Sequence, residues 1–246
     1  MTRFAAPAVL ACPNCRCVVL HQRLASWRDF GSVSWSDGYI STLDMGTFST
    51  LGRCPECTRL FWFDDAEELG WLPEQPVKSD WPGWRRFLAR MGFDPRQEVA
   101  KTIAWKALPQ EWQRALRVEA PDVHDLHRAV HEGWGTTPER ASYLRTRLWW
   151  AGNHPARGHQ GDDPLSDPEK RDNKQALLAL VEALPPEKRN AMMVGELLRE
   201  LGRFEEAVAV LRPWAEEGVA AARVLLEKAQ AGDTLVCEIG RTQLSY

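Results

Sequence analysis

Cys12-Pro-Asn-Cys15 and Cys54-Pro-Glu-Cys57 are two CPxC pairs that enclose 38 residues between them. Each can fold as a tight turn that aims both sulfurs at one ion. Backbone N–H groups in the turn then donate to the thiolates and offset their charge. Two such turns supply four soft ligands in the tetrahedral set that Zn²⁺ takes. With all four positions filled by Cys12, Cys15, Cys54 and Cys57, such an ion would be structural and closed to substrate. Cys17 is a fifth nearby cysteine that could replace one of the four, and His21 is a further alternative. A redox reading of one CxxC calls for a βαβ unit around it, and no βαβ pattern surrounds either pair. Cys237 stands alone and reads as a small buried hydrophobe.

Three weaker groupings follow in the middle of the chain. His124, His127 and His131 stand at i, i+3 and i+7 of an expected helix and share one face, with Asp125 and Glu132 beside them. The motif is not HExxH, so no glutamate is placed to activate water between paired ligands, and a solvated or capping face is the preferred reading. Trp81, Trp84, Arg85 and Arg86 mix aromatic and basic groups that could stack on nucleic-acid bases. Tryptophan at helical spacing with arginine stems over it is also how a core is built, and that reading is preferred. Arg145 and Arg147 lie in a dense aromatic run, Tyr143 to Trp150. Either arginine could hold a carboxylate or phosphate, or lock one helix to another.

The elements that must position these groups change character along the chain. Residues 1–77 carry net charge −3, residues 78–160 net +5, and residues 161–246 net −5. Proline-rich Leu72 to Pro82 and the Gly/Asp/Pro-rich run Gly158 to Pro168 mark the boundaries of three expected domains. The first block reads as β. Val18 to Leu20 and Leu60 to Phe63 follow the two cysteine pairs, and Phe30 to Trp35 alternates up to the hairpin signal Asp37-Gly38. Tyr39 to Leu51 is a weaker strand candidate. The remainder reads as helices: from Trp81 or Trp84 to Met91, then near 95–107, 109–119, 121–132, 138–151, 168–184, 186–201, 204–217 and 219–231. A short strand is expected within Thr234 to Ile239. Thr137-Pro138-Glu139 and Asp167-Pro168-Glu169 are both helix-start signals. The fold class is therefore α+β, a small N-terminal β domain followed by a larger all-α part.

The cysteine pattern resembles the zinc ribbon family over roughly Ala11 to Asp65. The resemblance implies two knuckles on β-hairpins sharing one zinc. Family knuckles often have glycine after the second cysteine, whereas Arg16 and Thr58 stand there. Ribbons often bind nucleic acid, but this segment is acidic and has no lysine, which argues against phosphate binding by it. Residues 191–218 resemble a tetratricopeptide repeat. Gly195 and Leu198 fall at the small and large positions of its first helix, Ala207 at the close-packing position of the second, and Leu211 and Trp214 continue a buried stripe. Pro213, Ala191 and Val219 depart from the pattern. The pairing of these modules is similar to bacterial proteins of unassigned function.

Twelve tryptophans in 246 residues, eleven of them at or before Trp150, are expected mostly inside. No run approaches about 18 apolar residues, so no membrane-spanning helix is expected. Phe4 to Ala11 faintly resembles the start of a lipoprotein signal but reads as a strand entering the first knuckle, and the protein as cytoplasmic. GxSxG, P-loop and GxGxxG patterns are absent. The expectation is a non-enzymatic protein–protein interaction module, an adaptor or a toxin-neutralising partner, with a structural zinc. Nucleic-acid binding through the basic middle block and a metalloenzyme built on the three histidines are the alternatives.

Overall fold

The computed structural model describes residues 3–26, 31–42, 49–75, 95–158 and 165–241. The helix expected up to Met91, and with it Trp81, Trp84, Arg85 and Arg86, lies outside them. A small β region is followed by a larger helical part with eight helices among the described residues, which makes the class α+β. Backbone contacts divide the chain into two units. One holds residues 1–28 and 48–121, and the other 29–47 and 122–246. These units do not follow the compositional boundaries near residues 77 and 160. Among the described residues, 31–42 group with the helices and 95–121 with the β region.

In the first unit, β2 (Ala8–Ala11) and β3 (Val18–His21) form an antiparallel hairpin, with Ala11 opposite Val18. The turn between them carries Cys12 and Cys15. β7 (Leu51–Arg53) and β8 (Leu60–Trp62) repeat the arrangement around Cys54 and Cys57. β9 (Glu67–Trp71) adds to the free edge of β2. β10 (Leu116–Arg117) pairs parallel with β3. Short β1 (Arg3–Phe4) pairs with β4 (Leu24–Ser26). Helix α1 (Pro95–Lys106) and helix α2 (Gln110–Arg114) lead into β10. The helix expected over 109–119 stops at Arg114 because Leu116 and Arg117 gain a ladder partner in β3, a tertiary contact that local propensity does not register.

Two apolar clusters back this sheet. Ala8, Leu10, Val19 and Phe61 lie against Cys12 and Cys54. Val9, Leu20 and Leu72 lie on the opposite side, covered by Trp105 and Trp112. Strand alternation explains the split, since Val9 and Leu10 point to opposite faces. Gly52 allows a close approach. A Cβ there would stand 2.2 Å from Val118 and 2.7 Å from Phe63.

In the second unit, β5 (Ser32–Trp35) and β6 (Ile40–Thr42) form a hairpin, and β11 (Glu238–Arg241) pairs with the other edge of β5. Six helices follow: α3 (Val123–His131), α4 (Pro138–Gly152), α5 (Asp167–Glu182), α6 (Ala191–Glu200), α7 (Phe204–Glu216) and α8 (Ala220–Gln230). Their starts are chemical. Asp122 and Asp125 form a capping box, Thr137 accepts from the Arg140 N–H ahead of Pro138, and Ser166 and Glu169 form a second box. α6 begins at Ala191 rather than near 186. Pro185 and Pro186 donate no N–H, and the Asn190 side chain caps Met192 and Met193.

Trp149, Leu177, Leu178, Val181, Leu197, Leu198, Leu211 and Leu225 form the helical core. Ala207 is fully buried, and Gly195 seats Leu211. Trp214, expected on the same stripe, is instead 44% exposed. The buried stripe of this helix runs through Ala207, Leu211 and Ala215 at four-residue spacing, and Trp214 stands at its edge, about 60° round from Leu211. Among the described residues the expectation that tryptophans are mostly interior holds in part. Trp62 and Trp149 are buried; Trp35, Trp105, Trp112, Trp134 and Trp150 are half-buried; Trp71 and Trp214 are exposed.

A Cβ at Gly195 would lie 2.5 Å from Leu211 Cδ2 and Cγ. Gly195→Ala is therefore expected to destabilise the fold by roughly 1–3 kcal/mol through overpacking. Combined with Leu211→Ala, the loss should fall short of the sum of the two single losses in urea denaturation.

Candidate functional site

The first turn is closed by Cys12 N–H donating to the Cys17 carbonyl at 2.9 Å and Arg16 N–H donating to the Cys12 carbonyl at 2.8 Å. The second repeats it, with Cys54 N–H to the Arg59 carbonyl and Thr58 N–H to the Cys54 carbonyl, both 2.9 Å. Arg16 and Thr58 occupy left-handed backbone at φ 62° and 59°, the two non-glycine residues so placed among the described residues. For β-branched Thr58 this conformation is strained, at a cost of order 1–3 kcal/mol that the surrounding turn has to offset.

These turns bring five sulfurs together. The Sγ atoms of Cys12, Cys15, Cys17 and Cys54 all lie within 4.8 Å of one another, near enough to bind one metal ion. Cys57 joins them, its Sγ 3.9 Å from that of Cys12. Cys15 and Cys54 are 3.8 Å apart. Cys17 is closer still, 3.2 Å from Cys15 and 3.3 Å from Cys54. Burial raises the pKa of Cys12 and Cys17 and pushes the Cys57 thiol up to about 12. The Cys17 backbone N–H brings Cys15 down to about 7. Closely packed thiolates repel, so full ionisation of the cluster calls for a cation among the sulfurs. His21 stacks on Phe63 with ring centroids 3.7 Å apart, so its ring packs into the sheet.

The arginine candidates have structural partners. Asn173 Nδ2 donates to the Arg145 carbonyl at 2.9 Å, and the Arg145 guanidinium reaches Asn173 Oδ1 at 3.4 Å, locking α4 to α5. Arg147 lies over the Tyr143 and Trp150 rings, 5.9 and 5.7 Å from their centroids. On α3, His127 and His131 turn their Nε2 atoms toward each other at 3.0 Å, while His124 is exposed.

A buried polar network in the second unit was not anticipated. Asp37 and Arg157 form an ion pair with both side chains fully buried. Asn153 Nδ2 donates to Asp37 at 2.9 Å and to Glu200 at 3.1 Å, so one amide serves two carboxylates. Glu200 also accepts from Trp149 Nε1 at 3.0 Å and pairs with Lys174 at 2.9 Å. Trp150 Nε1 donates to the Asp37 carbonyl at 3.0 Å. Deeper on α6, Arg199 pairs with Glu196 and donates to the Leu235 carbonyl, fixing the approach to β11. In sequence Asp37 reads as a hairpin-turn residue, a local role that gives no sign of its burial beside Arg157.

No protein-family model, curated protein or solved structure matched the chain. Among the described residues no helix is long and apolar enough to cross a membrane.

Burial, reinforced by Glu196, raises the pKa of Glu200 from 4.5 to about 7. The folded state therefore holds this proton where the unfolded state has lost it. The contribution is full below about pH 4.5 and lost as pH rises through 7. Measured by denaturation, wild type should lose stability relative to Glu200→Gln between pH 5 and 8. A constant difference across that range would contradict this assignment.

Proposed function

We propose that this chain is a non-enzymatic protein-interaction module whose β unit is held by a structural zinc on Cys12, Cys15, Cys54 and Cys57. The observation that carries the metal assignment is the duplicated turn. Two hairpins far apart in sequence use the same hydrogen bonds and the same left-handed fifth residue to present sulfur pairs to one point. A tetrahedral ion with Zn–S near 2.3 Å sets sulfur–sulfur edges of about 3.8 Å. Cys12 to Cys57 at 3.9 Å and Cys15 to Cys54 at 3.8 Å fit that edge. Cys17, at 3.2–3.3 Å from two of these sulfurs, is too close to share the coordination shell with both. It is assigned as a spare thiol beside the site. Four thiolate ligands leave no open position for substrate, so the role of the ion is to offset the small core of the β unit.

For the helical unit, Gly195 against Leu211 and the buried Ala207 support the tetratricopeptide-like reading of α6 and α7. Stacked helical hairpins of this kind bind proteins or peptides. Trp214, 44% exposed, and Val219, 36% exposed, flank the turn into α8 and offer an aromatic anchor for a protein partner. An adaptor or a neutralising partner fits this surface. Arg145 and Arg147 are engaged in packing, which weakens the nucleic-acid alternative.

Metal analysis of purified protein should find one zinc per chain. Cys54→Ser and Cys57→Ser are expected to lose it with a large drop in stability, whereas Cys17→Ser keeps it. Retention in Cys57→Ser with loss in Cys17→Ser would reassign the fourth ligand, and folded metal-free protein would refute the centre. Thr58→Gly should raise stability by about 1 kcal/mol, because glycine adopts the left-handed turn without strain. For the interaction reading, co-purification should recover a partner with wild type. Trp214→Ala should lose that partner while keeping zinc and melting temperature; equal recovery with both would count against this surface.

A further inference from the structure

The two cysteine turns repeat each other position by position. Cys12, Cys15 and Arg16 correspond to Cys54, Cys57 and Thr58. The next residue closes each turn through its carbonyl, which accepts from the N–H of the first cysteine at 2.9 Å. That residue is Cys17 in the first turn and Arg59 in the second. The closing hydrogen bond uses backbone only, so the turn itself does not require a thiol at this position. Arg59 serves in the second turn, and the sulfur of Cys17 is an addition to the first.

That added sulfur sits against the cluster. Cys17 Sγ lies 3.2 Å from Cys15 Sγ and 3.3 Å from Cys54 Sγ. A disulfide holds its sulfurs about 2.05 Å apart, so Cys15 and Cys17 need to close by only about 1.2 Å to bond. A disulfide between two of the four proposed zinc ligands would take two sulfurs from the ion. One made with Cys17 takes a single sulfur, because Cys17 is not a ligand. Exposure then selects the partner. Cys15 is exposed and Cys54 is buried, so a small oxidant arriving from water meets Cys15 first.

We propose that Cys15 and Cys17 form an oxidation site for hydrogen peroxide, and that their disulfide discharges the zinc, the second half resting on the four-cysteine zinc reading above. The Cys15 thiolate sulfur attacks one peroxide oxygen, the O–O bond breaks and hydroxide leaves, giving a sulfenic acid on Cys15. The Cys17 sulfur then bonds to the Cys15 sulfur. The S–OH bond breaks, and the departing hydroxide takes the Cys17 proton to leave as water. The two sulfurs together lose two electrons, and the peroxide is reduced to one hydroxide and one water. Cys15 no longer offers a thiolate, so the ion keeps three protein ligands and becomes exchangeable.

The test treats the whole chain, as purified, with hydrogen peroxide while a chromogenic chelator reports released zinc and a thiol reagent counts free cysteines. The protein is then digested with trypsin without reduction and mapped by mass spectrometry. Trypsin cuts after Arg16, Arg23, Arg53 and Arg59, so the three sulfurs fall on separate peptides. Wild type should release zinc in step with the loss of two thiols and yield residues 4–16 joined to 17–23. Dithiothreitol with added Zn²⁺ should restore the metal. Cys17→Ser should hold zinc as purified and release it about tenfold or more slowly, with the Cys15 sulfenic acid trapped by dimedone. Cys237→Ser should behave as wild type. Release from Cys17→Ser at the wild-type rate, a bond between Cys12 and Cys15, or residues 17–23 joined to 54–59 would each overturn the site. The mapping of wild type needs no variant to fold. Protein purified without zinc that still forms the bond between Cys15 and Cys17 would refute the metal reading and uphold the oxidation site.

Discussion

Five sulfur atoms from two separate turns are packed at the junction of two short hairpins, and the first unit is organised around that contact. β7 and β8 are three residues each, and β2 and β3 four each. Ladders this short have little stability alone. Their turns also hold Arg16 and Thr58 in left-handed backbone, which opposes folding. Part of the offset comes from the apolar residues behind the sulfurs, Leu10, Val19 and Phe61. With a tetrahedral ion among four thiolates, as proposed here, the repulsion that forbids their joint ionisation becomes attraction to one shared charge.

The second unit rests on a different device. Asp37 and Glu200 are both out of water, and neither is tolerable there without donors. Asn153, at the end of α4, bridges them, with Arg157 on one side and Lys174 and Trp149 on the other. This joins the hairpin turn at residue 37 to helices more than a hundred residues later. Removing one partner would strand a buried charge, so the network specifies one arrangement of hairpin and helices more than it adds stability.

Much of this was legible in the chain. The helix starts near Thr137 and Asp167 follow from cap side chains and prolines close in sequence, a local rule, although Ser166 rather than Asp167 is the capping residue. The knuckle strands follow from alternation, and the cysteine cluster from spacing. The boundary near Arg114, the grouping of residues 31–42 with the helices, and the exposure of Trp214 were not legible. Each depends on which surface the rest of the fold offers.

The sequence by itself determined the α+β class, the two cysteine turns and most helix ends, because those depend on residues within a few positions of one another. Tertiary structure decided that Cys17 crowds the cluster and that Asp37 is a buried charge rather than a simple turn residue. It also decided that Glu169, not Asp125 or Glu132, faces His127. Such pairings join residues 37 to 157 and 127 to 169, and their partners are chosen by packing, which spacing along the chain does not encode.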